Sequence, residues 1–391
     1  MGRASSGSRG SRAGDALLRT GPDGTHAHHA ARPREAVRCG GVVTGIHYPL
    51  RVVALGGGTG LPMVLRGLKT ALFPQGADDP SRLMAVVTVT DEGGSSGRLR
   101  DELGVLPPGD VRNCLVALSH NEPLMARLFQ ARYRSSGPLN GHSIGNLILA
   151  GLAQMEGSGF LDAVRQVSEV LNIQGQVLPS TLTPTRLVAR LDDGTEVVGE
   201  TAISERLRSV ASLRLDPAEP VATDGVADAI RRADILVIGP GSLYTSILPN
   251  LLIPEIAAAI GETPAFRLFV LNAMTEPGET RGFGAEDHLR AIVEHAAEPL
   301  VDAVLLASDE IPATTSERYR HEGAVRVAAA AERLGQLVPM VLSREILLVE
   351  PKVRHDPRRT AGAIIEGFTA WGESGFPRPQ QHSAGAEGKT A

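Results

Sequence analysis

Residues 52–61, Val-Val-Ala-Leu-Gly-Gly-Gly-Thr-Gly-Leu, join a strand to a helix through a glycine turn. Val52 to Leu55 form a short apolar run rich in valine, the pattern of a buried strand. Apolar residues then recur at Leu61, Val64, Leu65 and Leu68, the spacing of one helix face. Between them the glycines allow a tight turn, so Gly57, Gly58, Thr59 and Gly60 stand at a helix start whose N–H groups and dipole favour a phosphate. The turn is not a Walker A loop, because no Gly-Lys-Ser/Thr follows at the required distance and Lys69-Thr70 comes a turn too late. A nicotinamide fingerprint fits poorly too. Leu61 occupies the third glycine position, and the next strand-end acid, Asp91, lies about 30 residues on where ~20 is expected.

Outward from this unit, short apolar runs at Met84 to Val89, Ile235 to Ile238, Phe266 to Leu271 and Ala303 to Leu306 alternate with helical stretches. That alternation predicts an α/β core with a mostly parallel, doubly wound sheet. Arg186 to Leu191 and Thr195 to Gly199 flank Asp193-Gly194, a turn pair that predicts an inserted antiparallel hairpin over about 186–199. Residues 1–47, rich in Gly, Ser, Arg, Ala and His, show no hydrophobic period and are read as a disordered tail, with His26, His28 and His29 solvated. Residues 373–391 read as a second tail, leaving one folded unit over 48–372.

Composition narrows the function classes. A net charge of −5 and 3% aromatic residues argue against a nucleic-acid binder. The two cysteines, Cys39 and Cys114, make neither a disulfide framework nor a zinc spacing. No apolar run approaches the ~18 residues of a membrane span, and the first residues lack a signal-peptide core. The expectation is a cytoplasmic protein without membrane insertion.

The polar motifs follow the strands. After the second strand, Thr90-Asp91-Glu92-Gly93-Gly94-Ser95-Ser96 places acids and hydroxyls at the carboxyl edge of the sheet. Asp91 suits either a hard cation such as Mg²⁺ or a ribose or sugar hydroxyl. In Pro107-Pro108-Gly109-Asp110-Val111-Arg112-Asn113, Asp110 is expected to cap a helix while Arg112 and Asn113 present donors. Cys114 reads as a buried small hydrophobe. Gly141-His142-Ser143-Ile144-Gly145-Asn146 offers His142 as a base and Asn146 as a reader of a base or amide, or else an ordinary turn. Gly239-Pro240-Gly241-Ser242-Leu243-Tyr244-Thr245-Ser246 repeats the strand, glycine turn and helix arrangement, with Tyr244 placed to stack on a base or bond a phosphate. Asn272 to Arg281 forms a polar loop able to close over the same crevice, and two glycine turns together suit a pyrophosphate ligand.

The ordered series GGGTGL, TDEGGSSGRLR, PPGDVRNCL, GHSIGNL, GPGSLYTSILPNLL and NAMTEPGET, ending in Arg354-His355-Asp356, closely resembles the bacterial YvcK family of gluconeogenesis factors over about residues 50 to 370. These proteins are similar to CofD, the 2-phospho-L-lactate transferase of deazaflavin cofactor synthesis. The resemblance implies a CofD-like, Rossmann-type three-layer fold and binding of a UDP-sugar such as UDP-N-acetylglucosamine. It also implies a role in cell shape and envelope synthesis on gluconeogenic carbon sources. In that frame Asp91 matches the acidic, Mg²⁺-using loop of CofD and Tyr244 the family tyrosine near the ligand. Glu92 stands where the family usually has a second aspartate. No nucleophile and base pair is evident, so the first expectation is a regulator that binds a UDP-sugar and signals to envelope-synthesis or cell-shape partners. The alternative is a Mg²⁺-dependent phosphoryl-type transferase. Helices around an open sheet also leave surface for a homodimer.

Overall fold

The computed structural model describes residues 49–205, 210–296 and 300–374; the expected tail at 1–47 and residues 375–391 lie outside this set. The strands are β1 (Val52–Gly56), β2 (Leu83–Val87), β3 (Gln176–Pro179), β4 (Arg186–Leu191), β5 (Glu196–Val198), β6 (Val210–Asp216), β7 (Ile235–Ile238), β8 (Phe266–Val270), β9 (Ala303–Ala307), β10 (Met340–Arg344), β11 (Leu347–Leu348) and β12 (Arg354–His355). Seven form one sheet in the order β10-β9-β8-β7-β1-β2-β3, every pair parallel. The five runs expected as strands are all in it. β3 and β10 join from segments not recognised in the sequence, each short and, in β3, ending at a proline.

Period-two alternation explains why the sheet is covered on both faces. Val52, Ala54, Ala85, Val87, Val237 and Leu268 enter one apolar cluster, shared with α1 (Gly60–Leu72) and the long helix Pro357–Glu373. Val53, Leu55, Val86, Leu236, Ile238 and Phe269 enter the other. The predicted hairpin is present: β4 pairs antiparallel with β5, and β6 adds a third strand on β4. This small sheet, inserted between β3 and β7, turns Leu187, Ala189, Leu191 and Leu215 into the second cluster. The result is a three-layer α/β fold with an antiparallel insertion.

The strand order fixes where loops converge. From β1 the chain proceeds to β2 and β3 on one side, while β7, on the other side of β1, leads to β8, β9 and β10. Such a reversal opens a crevice at the carboxyl ends of the two central strands. The two glycine turns follow β1 and β7, and so meet there.

Candidate functional site

The meeting is close. A Cβ on Gly60 would strike the carbonyl of Pro240, and one on Gly57 would stand 2.6 Å from Asp110 Oδ2, so glycine is needed where the loops touch. An open cavity of about 350 Å³ lies between them, lined by Gly58, Thr59, Gly60, Gly241, Ser242 and Asn272. Its far wall comes from later in the chain: Met274, Glu276, Tyr319, Arg354 and His355. A larger hollow of about 640 Å³, lined by Phe73, Arg82, His120 and Gln174, sits at the opposite edge of the sheet and carries none of the motifs.

Several amides expected to be open to a ligand already have protein acceptors. The Gly58 N–H donates to Asp110 Oδ2 at 2.7 Å. With α2 at Gly94–Leu103 and α3 at Gly109–Leu118, Asp110 therefore does not cap its own helix, α3, but reaches back to the first turn. Asn272 brackets Gly241, accepting from its N–H at 3.1 Å and donating to its carbonyl at 2.8 Å. At the second turn, Glu279 Oε2 accepts from the Tyr244 N–H at 2.9 Å and Oε1 from Thr245 Oγ1 at 2.8 Å. A buried amide must find an acceptor, and these carboxylates supply it from within the fold. The start of α1 differs: Thr59 makes no side-chain cap, and Thr59 and Gly60 line the cavity.

Tyr244 is placed elsewhere than expected. Residues 243–247 form a wide helical turn, with Ile247 N–H donating to the Ser242 carbonyl at 3.0 Å, five residues back. The Tyr244 ring is buried in the second apolar cluster, edge-on to Phe283 and His295, and does not line the cavity. Burial pushes its phenol up to about 12, with Glu294 adding to the effect. The phenol that does line the cavity is Tyr319, whose Oη accepts from the Val353 N–H at 3.0 Å.

The middle motifs form a buried polar network beside the crevice. Arg112 Nη1 donates to Ser143 Oγ at 2.6 Å and Asn146 Oδ1 at 2.5 Å, while Nη2 donates to Asn113 Oδ1. Asn146 Nδ2 donates to Ser95 Oγ at 3.1 Å, Ser95 Oγ is 2.9 Å from His142 Nδ1, and Ser96 Oγ accepts from the Gly109 N–H. Ser95, Ser96, Asn113 and Asn146 are thus brought together, tied to one another and not to the cavity wall. Arg112 is driven down to about 10, first by burial and then by Arg132. Gly239 lies in the turn after β7, and Arg281 is exposed beside Gly323 at the rim.

Buried carboxylates complete the picture, and of these Glu200 belongs to no motif of the sequence. Burial raises Asp110 to about 7, with the Asp91 charge adding to it. Glu200, from the insertion, is raised to about 9 by burial and then by Asp91 and Asp110. Glu276 is held up at about 7 by burial and the neighbouring Glu279. Such shifts gather where a site holds like charges together. Only folding reveals the grouping, since these acids come from four separate segments. No group of three or more His, Cys, Asp or Glu side chains among the described residues is arranged to enclose a metal ion. Nor is any single helix among them long and apolar enough to cross a membrane.

Comparison with known proteins gives one consistent result. The model of the family described as 2-phospho-L-lactate transferase CofD matches residues 52–347. The gluconeogenesis factor of Halalkalibacterium halodurans is 44% identical over 317 residues, covering 81% of this chain and 96% of the relative. That of Bacillus subtilis is 41% identical, covering 81% and 97%. The crystal structure of a UPF0052-family protein from Bacillus halodurans superposes with a TM-score of 0.76 at 43% identity, covering 81% of this chain and 99% of that one. The chain therefore belongs to the CofD family and is related over nearly its whole described length to the gluconeogenesis factors, the YvcK or UPF0052 branch.

Proposed function

We propose that this protein is a cytoplasmic regulator that binds a UDP-sugar, UDP-N-acetylglucosamine being the first candidate, at the crevice between β1 and β7. In this reading it signals ligand status to envelope-synthesis or cell-shape partners, itself as a monomer or homodimer. The observation that carries the proposal is the contact of the two glycine turns at the reversal of strand order, with a cavity bounded by both. The uncapped start of α1 suits the diphosphate. Arg354 lines the same cavity, exposed and with no ion pair among the described residues, and so offers a cation to it. Tyr319 offers a ring against which a base or sugar can lie.

Arg354→Ala is expected to weaken UDP-N-acetylglucosamine binding by about 2 kcal/mol, roughly thirtyfold, the scale of a charge-assisted bond to phosphate. Its melting temperature should stay at the wild-type value. Isothermal calorimetry with purified protein provides the measurement, and an unchanged affinity would remove Arg354 from the site. A wild type that binds no uridine nucleotide would end the reading altogether.

A second reading, a Mg²⁺-dependent transferase, is favoured by the Asp91–Asp110 neighbourhood. Asp91 Oδ1 accepts from the Gly93 N–H and Asp110 Oδ2 from the Gly58 N–H, leaving an oxygen of each without a hydrogen bond among the described residues. Hard oxygen donors from one or two carboxylates, completed by ligand phosphate, fit Mg²⁺. Asp91 and Asp110 would hold the ion, which would neutralise charge on the diphosphate as an acceptor alcohol displaced UMP from the sugar-bearing phosphorus. Release of UMP in the presence of Mg²⁺ and an acceptor alcohol, lost in Asp91→Asn, would favour this reading over regulation.

A further inference from the structure

Asp91 and Glu92 are adjacent in sequence, yet their side chains part company. Asp91 Oδ2 lies 2.6 Å from where a Cβ on Gly109 would stand, at the start of α3 and beside Asp110. Glu92 turns to the antiparallel insertion. Its Oε1 accepts from Arg100 Nη1 at 3.3 Å and lies 3.7 Å from Arg186 Nε. Arg100 Nη2 in turn donates to the Thr185 carbonyl at 2.8 Å, and Arg186 Nη2 lies 3.7 Å from Asp101.

The other end of the hairpin closes on the same residue. The Glu92 N–H donates to Glu200 Oε2 at 3.3 Å. Gly199, at φ +96°, approaches so closely that a Cβ there would strike Glu92 Oε2. Residues 185–186 and 199–200, the two feet of the β4–β5 hairpin, are therefore both fastened to Glu92. Aspartate, one methylene shorter, would not span from this backbone to both guanidiniums with the same geometry.

We propose that Glu92 is a positioning residue: it anchors the loop after β2 to the antiparallel insertion, and this anchorage holds Asp91 in place for a cation bound with the nucleotide. The inference rests on the reading of Asp91 as a cation-holding residue. The insertion thereby gains a role beyond covering the sheet. It supplies a rigid support for a loop that is otherwise rich in glycine and serine.

The test uses the full chain and the variants Glu92→Asp, Glu92→Gln and Arg186→Ala. Arg186 is half-exposed and is not among the residues that line the crevice cavity, so its loss should leave the melting temperature close to wild type. Two quantities are read: hydrogen exchange of the 91–97 amides in ligand-free protein, and the Mg²⁺ concentration at half-maximal enhancement of UDP-N-acetylglucosamine binding. Faster exchange in all three variants is expected, with the Mg²⁺ midpoint raised roughly fivefold to tenfold and the Glu92→Gln, Arg186→Ala double variant no worse than either single one. A Glu92→Asp variant that matches or improves on wild type would mean the carboxylate serves the ion directly, and would overturn the proposal. Unchanged midpoints in the other variants would overturn it as well, whatever the exchange rates. Wild-type binding that ignores Mg²⁺ removes the cation reading and this inference with it, whereas a responsive wild type matched by every variant removes this inference alone.

Discussion

Asp110→Asn should make the ligand-free protein more stable at pH 8 and poorer at its task. The wild-type carboxyl is buried and raised from 3.8 to about 7, burial being the main cause and Asp91 the second. Between those two values the folded chain holds a proton that the unfolded chain has released, so stability falls as pH rises through the window and the whole penalty is present above it. At 1.36 kcal/mol per unit the upper bound is about 4 kcal/mol. Asparagine keeps an oxygen for the Gly58 N–H and carries no charge to bury. Thermal melts across pH 4 to 8 should show the variant's advantage appear on the alkaline side and shrink toward pH 4. Nucleotide binding supported by Mg²⁺ should fall at least tenfold, a trade of function for stability. Equal melting temperatures at pH 8 would mean that Asp110 carries no such burden.

Tyr244→Ala is expected to do the reverse, costing stability while sparing affinity. The ring is 2% exposed and packs at centroid distances of 6.4 Å from Phe283 and 5.9 Å from His295. Truncating a buried aromatic to alanine leaves a cavity and costs about 3–5 kcal/mol. Denaturant unfolding should register that loss, while calorimetry well below the new midpoint should return a dissociation constant within about twofold of wild type. A variant as stable as wild type, with weakened binding, would return Tyr244 to the ligand.

Much of the architecture was legible because it is written in local pattern. Val52 to Leu55 could only be a short buried strand, Leu61 to Leu68 only a helix face, and Asp193-Gly194 a hairpin turn; neighbouring residues decide each of these. β3 escaped because four residues ending in Pro179 give too little pattern to count. The placement of the motifs at one sheet edge was also readable, since each followed a strand in the same sense. What the polar residues do there was not. Asp110 meets Gly58 across 52 residues, Asn272 meets Gly241 across 31, and Glu279 meets Tyr244 across 35.

A parallel α/β sheet with glycine turns and acids at its carboxyl edge follows from local pattern, because strand and helix periodicities and turn chemistry act over a few residues. Which amides are already occupied, that a wide turn sends Tyr244 into the core, and that Tyr319 and Arg354 line the cavity in its place emerged with the folded chain. Those outcomes depend on burial and on hydrogen-bond partners drawn from distant segments, quantities that exist only once the chain has closed on itself.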